Sequence, residues 1–352
     1  MTYIQKRRYY WKFFIVIFAL LCICIFFVST LGVAKISFAE AYRILLRNVP
    51  LIGRYISIDD IKESKKLIIL NIRFPRILLS ALVGMALAGA GAVFQGIFKN
   101  PMADPYVLGV SSGAAFGATI AIIFGLEEIF IGFRAITVMA FVGAILATLT
   151  VYNLSKIGSK TPIVTLLLAG IALSFLLSSL ISLLMTFHRE QVERIVFWTM
   201  GSFSAASWKH VRIAAPIILI GCIFFTMFGR DLNVMLMGEE TAKSLGIEVE
   251  RIKKVLLVAA SIVAASAVSV SGIIGFVGLV IPHIGRLIIG PDHRVLIPFT
   301  LISGAIFMVV ADTLARILIP PAEIPVGVIT SLVGAPFFIY LLYKNKKQNS
   351  MG

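Results

Sequence analysis

The chain has 352 residues, 59% of them hydrophobic and only 14% charged, and a formal net charge of +15. A soluble domain carries roughly a quarter charged residues, so this composition excludes an ordinary soluble enzyme. The cations flank apolar runs and form no single patch, which excludes nucleic acid as the partner of the net charge. A bilayer-spanning helix needs about 20 apolar residues, and open strands leave backbone groups unsatisfied in lipid. The apolar runs are too long for barrel strands, so the sequence predicts an all-α polytopic membrane protein in contact with the lipid bilayer.

In chain order, spans are expected at 12–31, 73–97, 108–125, 133–154, 162–187, 211–229, 253–273, 276–290, 296–318 and 325–343. The first follows "MTYIQKRRYYWK", a basic start that resembles a signal peptide; its apolar stretch is long for one, so an uncleaved helix is expected. Ten spans place both termini on one side. Lys6, Arg7, Arg8 and Lys12 open the chain and Lys344, Lys346 and Lys347 close it, so the positive-inside rule puts both ends in the cytoplasm. Lys156, Lys160, Arg230, Lys243, Arg251, Lys253, Lys254, Arg286 and Arg294 fall in short loops on that same side. The chain reads as one membrane domain over 1–352, in the cell membrane and multi-pass.

Residues 32–72 form an extracytoplasmic segment. Over 32–76 there are nine Lys/Arg against four Asp/Glu, and a loop of this length is translocated with its charge. Ser37-Phe38-Ala39-Glu40 has the pattern of a capping box. Phe38, Tyr42, Leu45 and Leu46 then recur at helical spacing, which predicts a short amphipathic helix on the outer surface.

Gly84, Ala88, Ala92 and Gly96 lie four apart, a stripe that suits close helix packing in lipid. A second stripe, Gly170, Ser174, Ser178 and Ser182, is small and mildly polar and fits either a helix contact or a water-lined path. Prolines and glycines interrupt 99–114 and 272–286; irregular backbone at membrane depth needs protein or a cavity to cover it. Both regions feed a later Ser-Gly-Ala, at 112–114 and 303–305, a faint hint of an internal repeat.

Few residues carry chemistry. Asp312 is the clear intramembrane carboxylate, with Arg316 one turn later as an i, i+4 partner. No carboxylate or histidine relay crosses the membrane, which weighs against an ion-coupled secondary transporter, the reading from another class. His283 lacks metal-ligand company and reads as structural, Cys22, Cys24 and Cys222 form no framework, and no metal site or catalytic set is expected. "IGSKTP" at 157–162 has Ser159 where a phosphate-binding loop needs glycine before lysine, so this chain is expected to bind no ATP.

The segment 232–251, "LNVMLMGEETAKSLGIEVER", stands apart. Gly238 and Gly246 bracket a polar helix over Glu239–Leu245, with carboxylates at its first turn and Leu245 as one apolar contact. It falls on the cytoplasmic side.

Five blocks then carry a resemblance. They are "IRFPRILLSALVGMALAGAGAVFQGIFKNPMADPYVLGVSSGAA", "FWTMGSFSAASW", "LNVMLMGEETAKSLGIEV", "GIIGFVGLVIPHIGRLIIGPDHRVLIP" and "ADTLARILIPPAEIPVGVITSLVGAPFFIYLL". In this order, from about Arg73 to Tyr343, they resemble the FecCD family of permeases, the membrane subunits of ATP-binding-cassette importers for iron–siderophores, haem and cobalamin. The resemblance implies ten helices and a homodimer, or a pair with a related permease, around a central path. It also implies two ATPase subunits that spend the ATP and an extracytoplasmic binding protein that delivers cargo. It implies that Gly238, Glu239, Glu240, Thr241, Leu245 and Gly246 form the segment that couples to the ATPase. It makes Arg73, Arg76 and Arg316 outward contacts for the binding protein. The stripe Gly170–Ser182 becomes a candidate pathway, and Pro162, Ile163, Val164 and Thr165 a candidate gate. Pro162, Ile163 and Val164 are less polar than in cobalamin members, which argues against cobalamin; the resemblance, by what is commonest in the family, implies a ferric siderophore as cargo, with haem next and cobalamin third.

Overall fold

A computed structural model describes residues 3–32, 34, 36–49, 53–126, 135–158 and 161–349. Helix α1 (Tyr3–Thr30) is followed by α2 (Phe38–Arg47). The side chain of Ser37 caps α2 at the amide of Glu40, and the Glu40 carboxylate accepts from the Ser37 amide at 2.9 Å. The buried face of α2 is Ala41, Ile44 and Leu45, packed with Ile36, Ile61 and Ile69. Phe38 and Tyr42, two of the four apolar residues at helical spacing, are 57% and 48% exposed. The packed stripe is thus rotated from the one that hydrophobicity alone selects.

Helix α3 (Glu63–Leu67) runs through a π-helical turn (Ile68–Arg73) into α4 (Phe74–Phe98), so that 63–98 is continuous. Helix α4 is the centre of the bundle, and nearly every residue from Ile77 onward is buried. It packs most closely on α14 (His293–Ile317). A Cβ on Gly84 would stand 2.1 Å from the Gly304 carbonyl oxygen, so glycine at both places is what lets the backbones touch. Ala88 and Ala92 are fully buried and Gly96 faces His293, so the whole 84–96 stripe is a packing face.

Helices α5 (Val110–Ile123) and α6 (Ala135–Ser155) pair in the same way, through Gly113 against Gly143. Helix α7 (Ile163–Phe187) contacts α5 and α6 along one side only, leaving Phe175 and Phe187 more than 70% exposed. A short α8 (Val192–Thr199) leads to α9 (Trp208–Met227), then α10 (Gly229–Leu236) and α11 (Glu239–Ser244). Helices α12 (Val249–Ser271), α13 (Val277–Ile289), α14 and α15 (Val326–Asn349) complete the chain.

Between α12 and α13 the backbone leaves helical geometry at 272–276 and is covered by protein. Tyr106 donates its hydroxyl to the Ile274 carbonyl at 2.8 Å and accepts from the Ile274 amide, while the Ser202 amide takes the Ser271 carbonyl. Gln95 of α4 donates to the Gly278 carbonyl at 2.9 Å. Among the described residues seven helices are long and apolar enough to cross a membrane. Three expected spans appear as the shorter apolar helices Val110–Ile123, Val277–Ile289 and Val326–Leu341.

Candidate functional site

Helices α10 and α11 project from the end of the bundle where α4 finishes and α14 begins. Gly238 (φ +123°) opens α11, and Gly246 (φ +82°) turns the chain out of it. A side chain resists these positive angles, so glycine sets both bends. Glu239 and Glu240 fill the first turn, where the helix dipole favours negative charge, and Lys243 lies in the last turn. Lys253 of α12 holds Glu239 and also reaches Glu250 at 3.3 Å. The hydrogen bond from Lys253 holds the Glu239 carboxyl below the ordinary glutamate range. Ala242 is the inner contact, packed among Met235 and Val249. Thr241 is exposed, and Leu245 and Met237 stand 63% and 70% exposed on an otherwise polar segment. The segment thus has a fixed inner face and an outer face with two apolar points.

Beneath it lies a joint that sequence reading missed. Asp292 caps α14 by accepting from the Arg294 amide, and Asn233 of α10 donates to the same carboxylate at 2.6 Å. The Arg294 guanidinium, followed by Asn233, holds the Asp292 carboxyl down at about 2. Asp292 after Gly290-Pro291 has the residue type of an N-cap, a local signal that was legible; its bond to Asn233, 59 residues away, was not.

At the opposite end the three arginines require a correction. They were expected to face outward, and all are buried: Arg73 is 4%, Arg76 7% and Arg316 8% exposed. Arg73 donates to the carbonyls of Ser29, Thr30 and Ala34, tying down the end of α1. Arg76 grips Asp312 of α14 through Nε and Nη2 at 2.9–3.1 Å and reaches both Glu323 carboxylate oxygens at 3.0 Å. Arg316, the expected partner of Asp312, is farther, at 3.4 Å. The planar five-donor fork of Arg76 serves two carboxylates at once. Burying a charge is costly unless it is paired and hydrogen-bonded; Arg76 is paired with Asp312 and Glu323, Arg73 is held by carbonyls alone, and Arg316 keeps a 3.4 Å ion pair with Asp312 while its Nε makes no hydrogen bond.

The second small-residue stripe divides. A Cβ on Gly170 would stand 1.9 Å from the Val107 carbonyl, and Ser174 shares a hydrogen bond with Ser112 at 3.0 Å, so this half is a helix contact. Ser178 and Ser182 are exposed, with the Ser182 hydroxyl donating to the Ser178 carbonyl. At the start of α7, Pro162 caps the helix, Ile163 packs on the core, Thr165 is half-buried and Val164 is 68% exposed. Among the described residues no three metal-ligating side chains gather.

Known proteins share this architecture. The FecCD transport family model matches residues 20–344. The chain is 46% identical to the cobalamin import system permease protein BtuC of Halobacterium salinarum over 282 residues, covering 80% of this chain and 75% of that one. It is 42% identical to the hemin transport system permease protein HmuU of Yersinia pestis, covering 80% and 84%. A solved ABC transporter assigned to the metal-chelate type, in an inward-facing conformation, superposes with a TM-score of 0.79 at 33% identity, covering 95% of this chain and 99% of that one. A family model that spans nearly the whole chain, with relatives at this identity over four-fifths of it, makes the protein a multi-pass membrane protein of the FecCD transport family.

Proposed function

We propose that the chain is the permease subunit of an ABC importer for a metal chelate, a ferric siderophore before haem or cobalamin. The observation that carries this is α11. It is a short polar helix set off by two glycine bends, braced from inside by Lys253 and Ala242, with Leu245 and Met237 left uncovered. Such a segment suits a groove on an ATPase, which would spend the ATP that this chain has no phosphate loop to hold. The seven long helices with the three shorter ones agree with ten spans, both termini cytoplasmic and α11 on that side. A second copy, or a related permease, would cover the open side of α7, with the cargo path between them. A binding protein would dock on the opposite face, where Arg73, Arg76 and Arg316 lie buried behind the surface.

The apolar start of α7 at Pro162, Ile163 and Val164 weighs against cobalamin, and the likeness to the metal-chelate transporter supports a chelate cargo. The 46% identity to the cobalamin permease favours the second reading. Asp312 is engaged by two guanidiniums, so it does not stand free as an ion-coupling carboxylate.

The test is uptake into proteoliposomes holding the chain with its ATPase and binding protein. ATP-dependent accumulation of a ferric hydroxamate, with little hemin or cobalamin uptake, is expected. Preference for hemin or cobalamin corrects the cargo, and uptake without ATP overturns the importer.

A further inference from the structure

The joint beneath α11 contains two mismatched groups. Asn233 donates its amide nitrogen to Asp292, and because a carboxylate only accepts, this contact sets which way the amide faces. The Asn233 Oδ1 then accepts the His293 backbone amide at 2.8 Å and lies 3.0 Å from His293 Nδ1. An acceptor at that place requires the proton on Nδ1, so His293 Nε2 carries a bare lone pair. His293 is 2% exposed, and its Nε2 has no partner. The ring fills the space beside Gly96 at the end of α4, where a Cβ would stand 2.9 Å from Nε2. In the last turn of α13, Arg286 Nη2 is a buried donor that also has no partner. Only 290–292 separate the end of α13 from the start of α14, and the two helices pack on each other. Buried polar groups are paired in the great majority of cases. Here an acceptor lacking a donor and a donor lacking an acceptor stand on adjacent helices.

The connectivity gives this mismatch a use. Helix α11 packs on α10 and α12, and α10 in turn packs on α14 and α4. A Cβ on Gly229 of α10 would meet the Arg294 backbone at 3.1 Å, so α10 and α14 are in backbone contact at the joint. Displacement of α11 therefore reaches α14 through Asn233, and α4 through the packing of α10.

We propose that Asn233 and His293 are positioning residues that carry displacement of α10–α11 to α14, and that Arg286 donates to His293 Nε2 in the transporter's other conformation. This rests on the reading of α11 as the coupling helix. One state leaves both groups unpaired and the other pairs them, so a shift of α13 against α14 is biased toward the second. A two-state element of this kind is what transmission between sites requires.

The test uses the full complex in nanodiscs, with Arg286→Met, Arg286→Lys, Asn233→Ala and Gly246→Val compared for thermal midpoint, ATPase co-purification, ATP hydrolysis and uptake. Methionine removes the orphan donor at similar volume. Arg286→Met should hold or raise the midpoint and retain the ATPase, yet lower uptake about tenfold; Arg286→Lys, which keeps a donor, should recover much of it. Asn233→Ala should hydrolyse ATP while uptake falls. A merely structural role would move stability and uptake together, so wild-type uptake by Arg286→Met, or loss only in step with the midpoint, overturns the proposal. If Gly246→Val abolishes uptake while Arg286→Met and Asn233→Ala both transport normally, the joint is wrong and the coupling reading stands. Normal uptake by Gly246→Val removes α11 as the coupling helix, and this proposal with it.

Discussion

Arg76 shows how a single side chain takes its role from its surroundings. Its sequence context, Arg73-Phe-Pro-Arg76 at the head of a span, suits an outward cation. Its geometry is that of a bracket: one guanidinium holds Asp312 on α14 and Glu323 in the following loop. Removing one partner from a buried pair leaves an uncompensated charge and costs about 3–5 kcal/mol. Arg76→Met should therefore lower the thermal midpoint of the detergent-solubilised protein by several degrees. Arg76→Lys should fall between, because an ammonium lacks the fork that spans both carboxylates. An unchanged midpoint in Arg76→Met, combined with lost binding-protein docking, would return Arg76 to the surface role.

Among the candidate spans, α7 is the least enclosed, and its small-residue face is half packed and half open. Gly170 and Ser174 are used up in contact with 107–112, whereas Ser178 and Ser182 are open. If the open half borders the cargo path, single cysteines at 178 and 182 should react with a water-soluble maleimide in a background lacking Cys22, Cys24 and Cys222. A cysteine at Leu176, on the other side of the helix, should react at least about tenfold more slowly, since a thiolate forms readily only where water reaches. Equal rates at all three positions would place this face in lipid or against protein. The stripe could be read as a unit in sequence because its spacing is local. Its division could not, because the carbonyl of Val107 that closes on Gly170 is brought there by packing.

At the scale of the molecule, α4 and α14 form a closely packed central pair, and two of the described clusters lie at its ends. The Arg76–Asp312 bracket closes one end and the Asn233–Asp292–His293 joint the other. The proposed ten-span topology puts both termini on the α11 side. Epitope tags at the two termini should both be shielded in right-side-out vesicles and both accessible after permeabilisation, together with a protease site placed after Gly246. A tag on only one side would mean that one of the three short helices does not cross.

What the sequence determined by itself is what local free energies decide. Transfer of apolar side chains into lipid marked the spans, and hydrogen-bonding chemistry marked the Ser37–Glu40 cap. The φ demand of glycine marked the bends at 238 and 246. These depend on a residue and its near neighbours, so they can be read along the chain. Tertiary structure alone decided which face of α2 is buried, which half of the α7 stripe is open, and whether the arginines face out. Arg76 and Asp312 are 236 residues apart, and Asn233 and His293 are 60. Whether a cation is presented to water or held by a carboxylate depends on which helix packs beside it, and in lipid that choice is made by the fit of surfaces such as Gly84 on Gly304, to which hydropathy is blind.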